Sequence, residues 1–260
     1  MAEMNNIIKP LPDAAMLDER EKKWRVTLPQ AYRNFLRHFN GGVPVCSDFL
    51  CGTKTYHIEY FLCVSKPLLW DDISVAETQY GERLTANEDL VGVELLPIAK
   101  LTGDDLVCLD FRKPRTEPSV CVWSNEESGE FDPVTYEAAQ SFKDFMSRLH
   151  LPLTIKGNIA ALGDFWEVRF NAPVEKIVPF ADSFAVLVMG DAIRDENVYG
   201  ADYNGNILWN IADITSFKNR QGYVDIGRYD ERTLAAQAFS GVRVLIDMEK
   251  KAVVGGEFTK

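Results

Sequence analysis

Residues able to do chemistry are scattered along this 260-residue chain rather than gathered into a motif. Three histidines, His38, His57 and His150, are spaced too widely for a metal site, and Cys46-x4-Cys51 lacks the second ligand pair that zinc requires. The run Asp202-x-Asn204-x-Asn206, with Asp213 eleven residues after Asp202, has the outline of a calcium loop. Its sixth position is Ile207, where the sharp turn demands glycine, so a hairpin is the better reading. The sequence has no Gly-rich phosphate loop, Gly-x-Ser-x-Gly or His-Glu-x-x-His. A Cys–His pairing stays open in principle, but Cys63, Cys108 and Cys121 lie in apolar runs that suit buried structural thiols. The carboxylate doublets Asp71-Asp72, Asp104-Asp105 and Glu126-Glu127 remain. General acid/base work needs one carboxyl in an apolar niche that raises its pKa, and doublets with polar neighbours point to solvated turns instead. They are better placed for binding, because Trp70 precedes the first doublet and Trp123 precedes the third, which puts large aromatic anchors beside negative charge. Trp123 fits a core strand at least as well. The expected partner-contact residues are Trp70, Asp71, Asp72, Asp104, Asp105, Trp123, Glu126 and Glu127; no catalytic residue, metal ligand or cofactor is expected.

Charge supports the same emphasis. The formal net charge is −11, and residues 71 to 137 hold 16 acidic against five basic residues, so this segment carries the whole excess. Such a field repels nucleic acid and attracts cationic partners, although an acidic surface also serves solubility alone. Five cysteines, an odd and widely spaced set, argue against a disulfide framework and for reduced thiols in a cytoplasm. No apolar run reaches the roughly 20 residues of a bilayer span, and Met1 to Lys9 does not read as a secretory leader. At 46% apolar content the chain can fill two cores.

The elements that must hold these residues fall into two groups. Asp13 to Trp24 reads as a first helix with a solvated face at residues 18–23. Leu28 to Gly42 reads as an amphipathic helix with both ends written in. Thr27 is the expected cap, Pro29 suits the first turn, and Tyr32, Phe35, Leu36 and Phe39 make one apolar stripe. Asn40-Gly41-Gly42 ends it. Strands are expected at Tyr56 to Phe61, Leu95 to Ala99, Leu106 to Phe111 and Val120 to Trp123, with a helix over Ile73 to Asn87 and another over Pro133 to Leu149. After Leu151-Pro152 the pattern becomes one of short strands: Phe165 to Phe170, Phe184 to Met189, Asn197 to Asp202, Ile207 to Ile211, Tyr223 to Ile226, Thr233 to Phe239, Val242 to Asp247 and Ala252 to Phe258. Asn204-Gly205 predicts a two-residue hairpin turn. One propeller-blade-like spacing, Asp202, Gly205 and Trp209, is a single copy and cannot close a ring. The boundary between the groups is expected near residues 150 to 160.

The first group resembles the SUKH superfamily, the Smi/Knr-like proteins. The resemblance rests on Leu28-Pro29-x-x-Tyr32-x-x-Phe35-Leu36 running into Asn40-Gly41-Gly42, on Leu96-Pro97-Ile98-Ala99 before Gly103-Asp104 and the strand Leu106 to Phe111, on Pro118-Ser119-Val120 with Trp123, and on Ser141-Phe142-x-x-Phe145. It covers about residues 25 to 150, with little to match between Cys46 and Asn87. The second group resembles a β module of small bacterial proteins, through residues 197–209 and 241–247. The resemblance implies an α+β fold, with a central and mostly antiparallel sheet flanked by helices over residues 1–152, followed by a smaller β-dominated domain over 160–260. It also implies a family without known catalysis, whose bacterial members are often immunity proteins that neutralise nuclease or deaminase toxins, and whose eukaryotic members regulate cell-wall synthesis through protein contacts.

The expectation is therefore a non-enzymatic, cytoplasmic immunity protein that meets a basic toxin through an acidic surface, with neither nucleic acid nor membrane as partner and an undetermined oligomeric state. A regulatory or scaffolding protein without a toxin is the alternative. A hydrolase using Asp104 or Asp105 is a third reading.

Overall fold

A computed structural model describes residues 3–89, 91–113, 117–163, 166–189, 197–215 and 222–258. The chain forms two units, Met1–Leu149 and His150–Lys260.

In the first unit, β1 (Met4–Asn5) pairs with β2 (Val43–Pro44), and α1 (Ala14–Trp24) and α2 (Gln30–His38) lie between them in sequence. The frame is a six-stranded antiparallel sheet in simple sequence order: β3 (Asp48–Cys51), β4 (Lys54–Phe61), β5 (Leu95–Leu101), β6 (Leu106–Asp110), β7 (Ser119–Trp123) and β8 (Thr135–Ala139). Between β4 and β5 come α3 (Ile73–Tyr80) and a 3₁₀ turn (Gly81–Leu84), and α4 (Phe142–Ser147) closes the unit. Alternation along the strands divides the core. Val107, Leu109, Val120 and Val122 face one cluster with Leu17, Trp24, Tyr32, Phe35, Leu36, Phe142 and Phe145 from the helices. Leu106, Cys108, Cys121 and Trp123 face a smaller cluster with Leu84, against which Tyr80 packs. The sheet curls until its edge strands meet, and the Cys51 thiol lies 3.6 Å from the Tyr136 carbonyl and 3.5 Å from that of Glu137.

The α2 stripe is buried as expected, with Tyr32, Phe35 and Leu36 all inside. Thr27 does not cap it; Pro29 occupies that position, and the nearby Leu28 N–H donates to Glu21 Oε1 at 2.6 Å. Asn40, Gly41 and Gly42 all have positive φ. A Cβ at Gly41 would stand 2.8 Å from the Phe61 carbonyl oxygen and one at Gly42 2.6 Å from that of Asn5, so both glycines are required by close backbone approach. Asn40 is fully buried and pairs with the Val64 backbone through both amide atoms, at 2.8 and 3.0 Å. The helix expected over Pro133 to Leu149 is in fact a strand followed by a short helix. Thr135 and Tyr136 pair with Trp123 and Val122, and Ser141 caps α4 by accepting from the Asp144 N–H. An open β7 edge outweighs the local helical spacing.

The described residues of the second unit form one helical turn and antiparallel sheets. The first is three-stranded: β9 (Leu153–Lys156), β10 (Ile159–Leu162) and β11 (Trp166–Arg169). Two four-stranded meanders follow. One is β12 (Val174–Pro179), β13 (Ser183–Val188), β14 (Val198–Asp202) and β15 (Ile207–Asn210); after a helical turn, α5 (Ile211–Ile214), comes β16 (Tyr223–Arg228), β17 (Thr233–Ala238), β18 (Val242–Asp247) and β19 (Ala252–Phe258). Among the described residues this four-stranded meander occurs twice, fewer than the four to eight blades of a propeller. β13 is buried along its whole length because Phe184, Val186 and Val188 face one cluster while Ala185 and Leu187 face another. β9 and β12 escaped sequence reading because they are half polar, and β10 because it is only the four residues Ile159-Ala160-Ala161-Leu162; Phe165 lies outside the described residues. Asn204-Gly205 belongs to a longer loop in which only Gly205 has positive φ. The Asp202 carboxylate accepts from the backbone N–H groups of Asn204 and Asn206, at 3.0 and 2.8 Å, as in an Asx turn.

Candidate functional site: a concave mouth on the six-stranded sheet

Where the sheet curls, four stretches of chain surround a concavity of 570 Å³. They are the β3–β4 turn running into β4 with Lys54 and Tyr56, the β5–β6 turn with Asp105, the segment after β7 with Ser124, Glu126 and Glu127, and Tyr136 on β8. Asp105 is the structural post. Its Oδ1 accepts from the Asn125 N–H at 2.9 Å and so fixes the β7 exit, while Oδ2 lies 3.7 Å from Lys54 Nζ. Glu126 and Glu127 are exposed, and Glu127 accepts a hydrogen bond from the Tyr136 hydroxyl. That bond raises the Tyr136 pKa. Burial above all, with added push from Cys51, Asp105 and Glu127, lifts Tyr56 to about 12, so both phenols are neutral donors or acceptors at physiological pH. Lys54 Nζ sits 4.4 Å over the Tyr56 ring.

The eight residues expected to meet a partner divide. Asp105, Glu126 and Glu127 come together at the mouth. Asp104, on the same turn, has positive φ and bonds Lys100 Nζ at 2.7 Å, which holds its carboxyl below the usual range. Trp70 is 71% exposed and meets Tyr60 edge-on at 5.1 Å, apart from the residues lining the mouth. The other three are internal, and the surface role read for them is corrected. Asp72 is fully buried: Oδ1 caps α3 through the Ser74 N–H, and Oδ2 accepts from the Ser65 N–H, the Ser65 hydroxyl and Arg20, at 2.6, 2.9 and 3.1 Å. Asp71 is buried, with its Oδ1 3.5 Å from the Cys63 thiol. Trp123 is a core residue; its Nε1–H donates to the Arg83 carbonyl at 2.8 Å, and Tyr80 packs on its ring. Sequence reading missed Lys54, Tyr56 and Tyr136. The alternation Thr135-Tyr136 and the Gly52-Thr53 turn were the available signals.

Other chemistry is sparse. The five cysteines are free thiols, and burial pushes Cys63 to about 12 and Cys108 and Cys121 upward, far from a nucleophilic thiolate. His57 pairs with Asp48 at 2.6 Å, and His150 stacks on Tyr203. Among the described residues no three His, Cys, Asp or Glu side chains are grouped to hold a metal ion. No helix of the described residues is long and apolar enough to cross a membrane.

A curled antiparallel sheet carrying helices and opening at one concave face puts the first unit in the α+β class. Residues 11–148 match the SMI1 / KNR4 family (SUKH-1); the chain belongs to that family, and this membership fits a binding or immunity-type module. Residues 152–258 match a domain of unknown function, DUF7957. No curated protein is similar to the chain. Among solved structures, it is similar to the WD40 β-propeller domain of Doa1 at 14% identity and a TM-score of 0.30, over 63% of this chain and 61% of that one. The chain thus spans about 61% of the length of that structure, and the score is too low to define a fold.

Proposed function

We propose that the protein is an immunity protein that neutralises a bacterial toxin, of nuclease or deaminase type, by docking the acidic mouth of its first unit against the toxin's basic surface. The observation carrying this reading is the convergence of Asp105, Glu126 and Glu127 with two tyrosines on one concave face of a family built for binding. A nucleic-acid-cleaving toxin presents cations to phosphates, and an inhibitor of opposite charge matches that field and gains association rate from it. Glu126 and Glu127 are exposed and the side-chain bond of Glu127 to Tyr136 lies at the surface, so reversing both charges tests the contact without testing the fold.

The experiment is affinity capture with the full chain, identification of the captured toxin, and association kinetics with Glu126→Lys/Glu127→Lys. The expected result is a toxin whose association slows by about tenfold or more at low salt in the double variant, with a flatter salt dependence. Unchanged kinetics would remove the acidic-mouth reading. No toxin and no protection on coexpression would leave the family's regulatory role as the better account.

A further inference from the structure

We propose that the mouth is a receptor for one arginine side chain of the partner, and that Lys54 occupies its place in the free chain. This rests on the acidic mouth being the contact face. The geometry has three parts. First, a cation already sits at the site: Lys54 Nζ lies 4.4 Å over the Tyr56 ring and 3.7 Å from Asp105 Oδ2, yet its side chain is 65% exposed, so it is held weakly and is easily displaced. Second, Tyr56 is only 8% exposed and lines the concavity, but its hydroxyl has no hydrogen-bond partner among the described residues. Because the Tyr136 proton is committed to Glu127, Tyr56 supplies the free phenol oxygen at the mouth. Third, Glu126 makes no hydrogen bond or ion pair among the described residues, which leaves a second carboxylate for an incoming donor.

One chemical group uses all three features. A planar guanidinium that enters where Lys54 Nζ sits carries its N–H groups as a fork in one plane, and that fork donates to the Tyr56 oxygen and to the carboxylates of Asp105, Glu126 or Glu127. An ammonium has the charge but neither the plane nor the fork, so Lys54 can occupy the site without satisfying it. The concavity of 570 Å³ also admits the chain on either side of the arginine. Lys54 is thus a built-in competitor: it lowers the affinity of the mouth for stray cations and yields to a guanidinium presented by a complementary surface.

The test is titration of the full-length protein with capped Gly-Arg-Gly, Gly-Lys-Gly and Gly-citrulline-Gly peptides, read by calorimetry and by NMR shifts of the Tyr56 ring. The expected result is saturable binding of the arginine peptide, roughly two- to fivefold tighter than the lysine peptide, and no binding of citrulline, which keeps the shape without the charge. Lys54→Met should tighten the arginine peptide several-fold. Tyr56→Phe, which keeps the ring and the packing, should weaken it toward the level of the lysine peptide while leaving the latter unchanged. Equal binding of arginine and lysine peptides, no binding of either, or a Lys54→Met variant that binds no more tightly would overturn the proposal. Because no toxin enters the assay, a captured partner combined with an indifferent peptide titration would sink this inference and leave the function standing.

Discussion

Asp71-Asp72 and Glu126-Glu127 look alike in sequence, each a carboxylate doublet one to three residues after a tryptophan, and they lead opposite lives. The first doublet is inside, with Asp72 accepting four hydrogen bonds that tie α1, the segment after β4 and the start of α3 into one joint. The second faces solvent at the mouth. The difference arises from partners distant in sequence: Arg20 lies 52 residues before Asp72, and no local pattern reports that meeting. Their tryptophans are exchanged as well, since Trp70 beside the buried acids is exposed and Trp123 before the exposed acids is core.

The comparison can be broken by substitution. Asp72→Ala strands the largely buried Arg20 guanidinium and the Ser65 N–H, and should cost about 3–5 kcal/mol in denaturant unfolding of the first unit. A loss below about 1 kcal/mol would mean that Asp72 is no joint. Trp123→Phe removes the donor to the Arg83 carbonyl and part of the packing around Tyr80, so about 1–2 kcal/mol should be lost in the same measurement.

A third, smaller effect depends on pH. Burial raises the pKa of Asp110, but its side-chain and backbone hydrogen bonds with Arg112 outweigh that and leave it lowered overall. A depressed carboxyl contributes stability above the unfolded pKa of about 4 and loses it as pH falls through the folded value. The gap in unfolding midpoint between the native protein and Asp110→Asn should therefore narrow from pH 6 to pH 3. A constant gap would show that the pair contributes nothing electrostatic. Least affected should be Trp70→Ala, within about 0.5 kcal/mol in stability, since its ring packs on Tyr60 while mostly in water.

What sequence could reveal follows from range. The α2 stripe, the Asn40-Gly41-Gly42 exit and strands β5 to β7 were legible because each is decided by its own neighbours, through apolar spacing or the steric freedom of glycine. Pro133 to Leu149 was misread because Thr135 to Ala139 responds to an unpaired strand edge far away in the chain. The mouth was half legible. Charge counting reached Asp105, Glu126 and Glu127, while Lys54 and Tyr56 lay in the stretch with least resemblance to the family and with no charge excess to draw notice.

The curl that brings Cys51 against the β8 backbone has a thermodynamic consequence. The walls of the mouth come from stretches of chain as far apart as residues 52 and 136, so they exist as a surface only while the sheet is closed. Whatever seats itself there binds the native state alone and must stabilise it in proportion to the logarithm of its concentration over its dissociation constant. The occupant acts as a clasp on the closed sheet, and a peptide copied from any single stretch of the rim would lack the shape to compete for it.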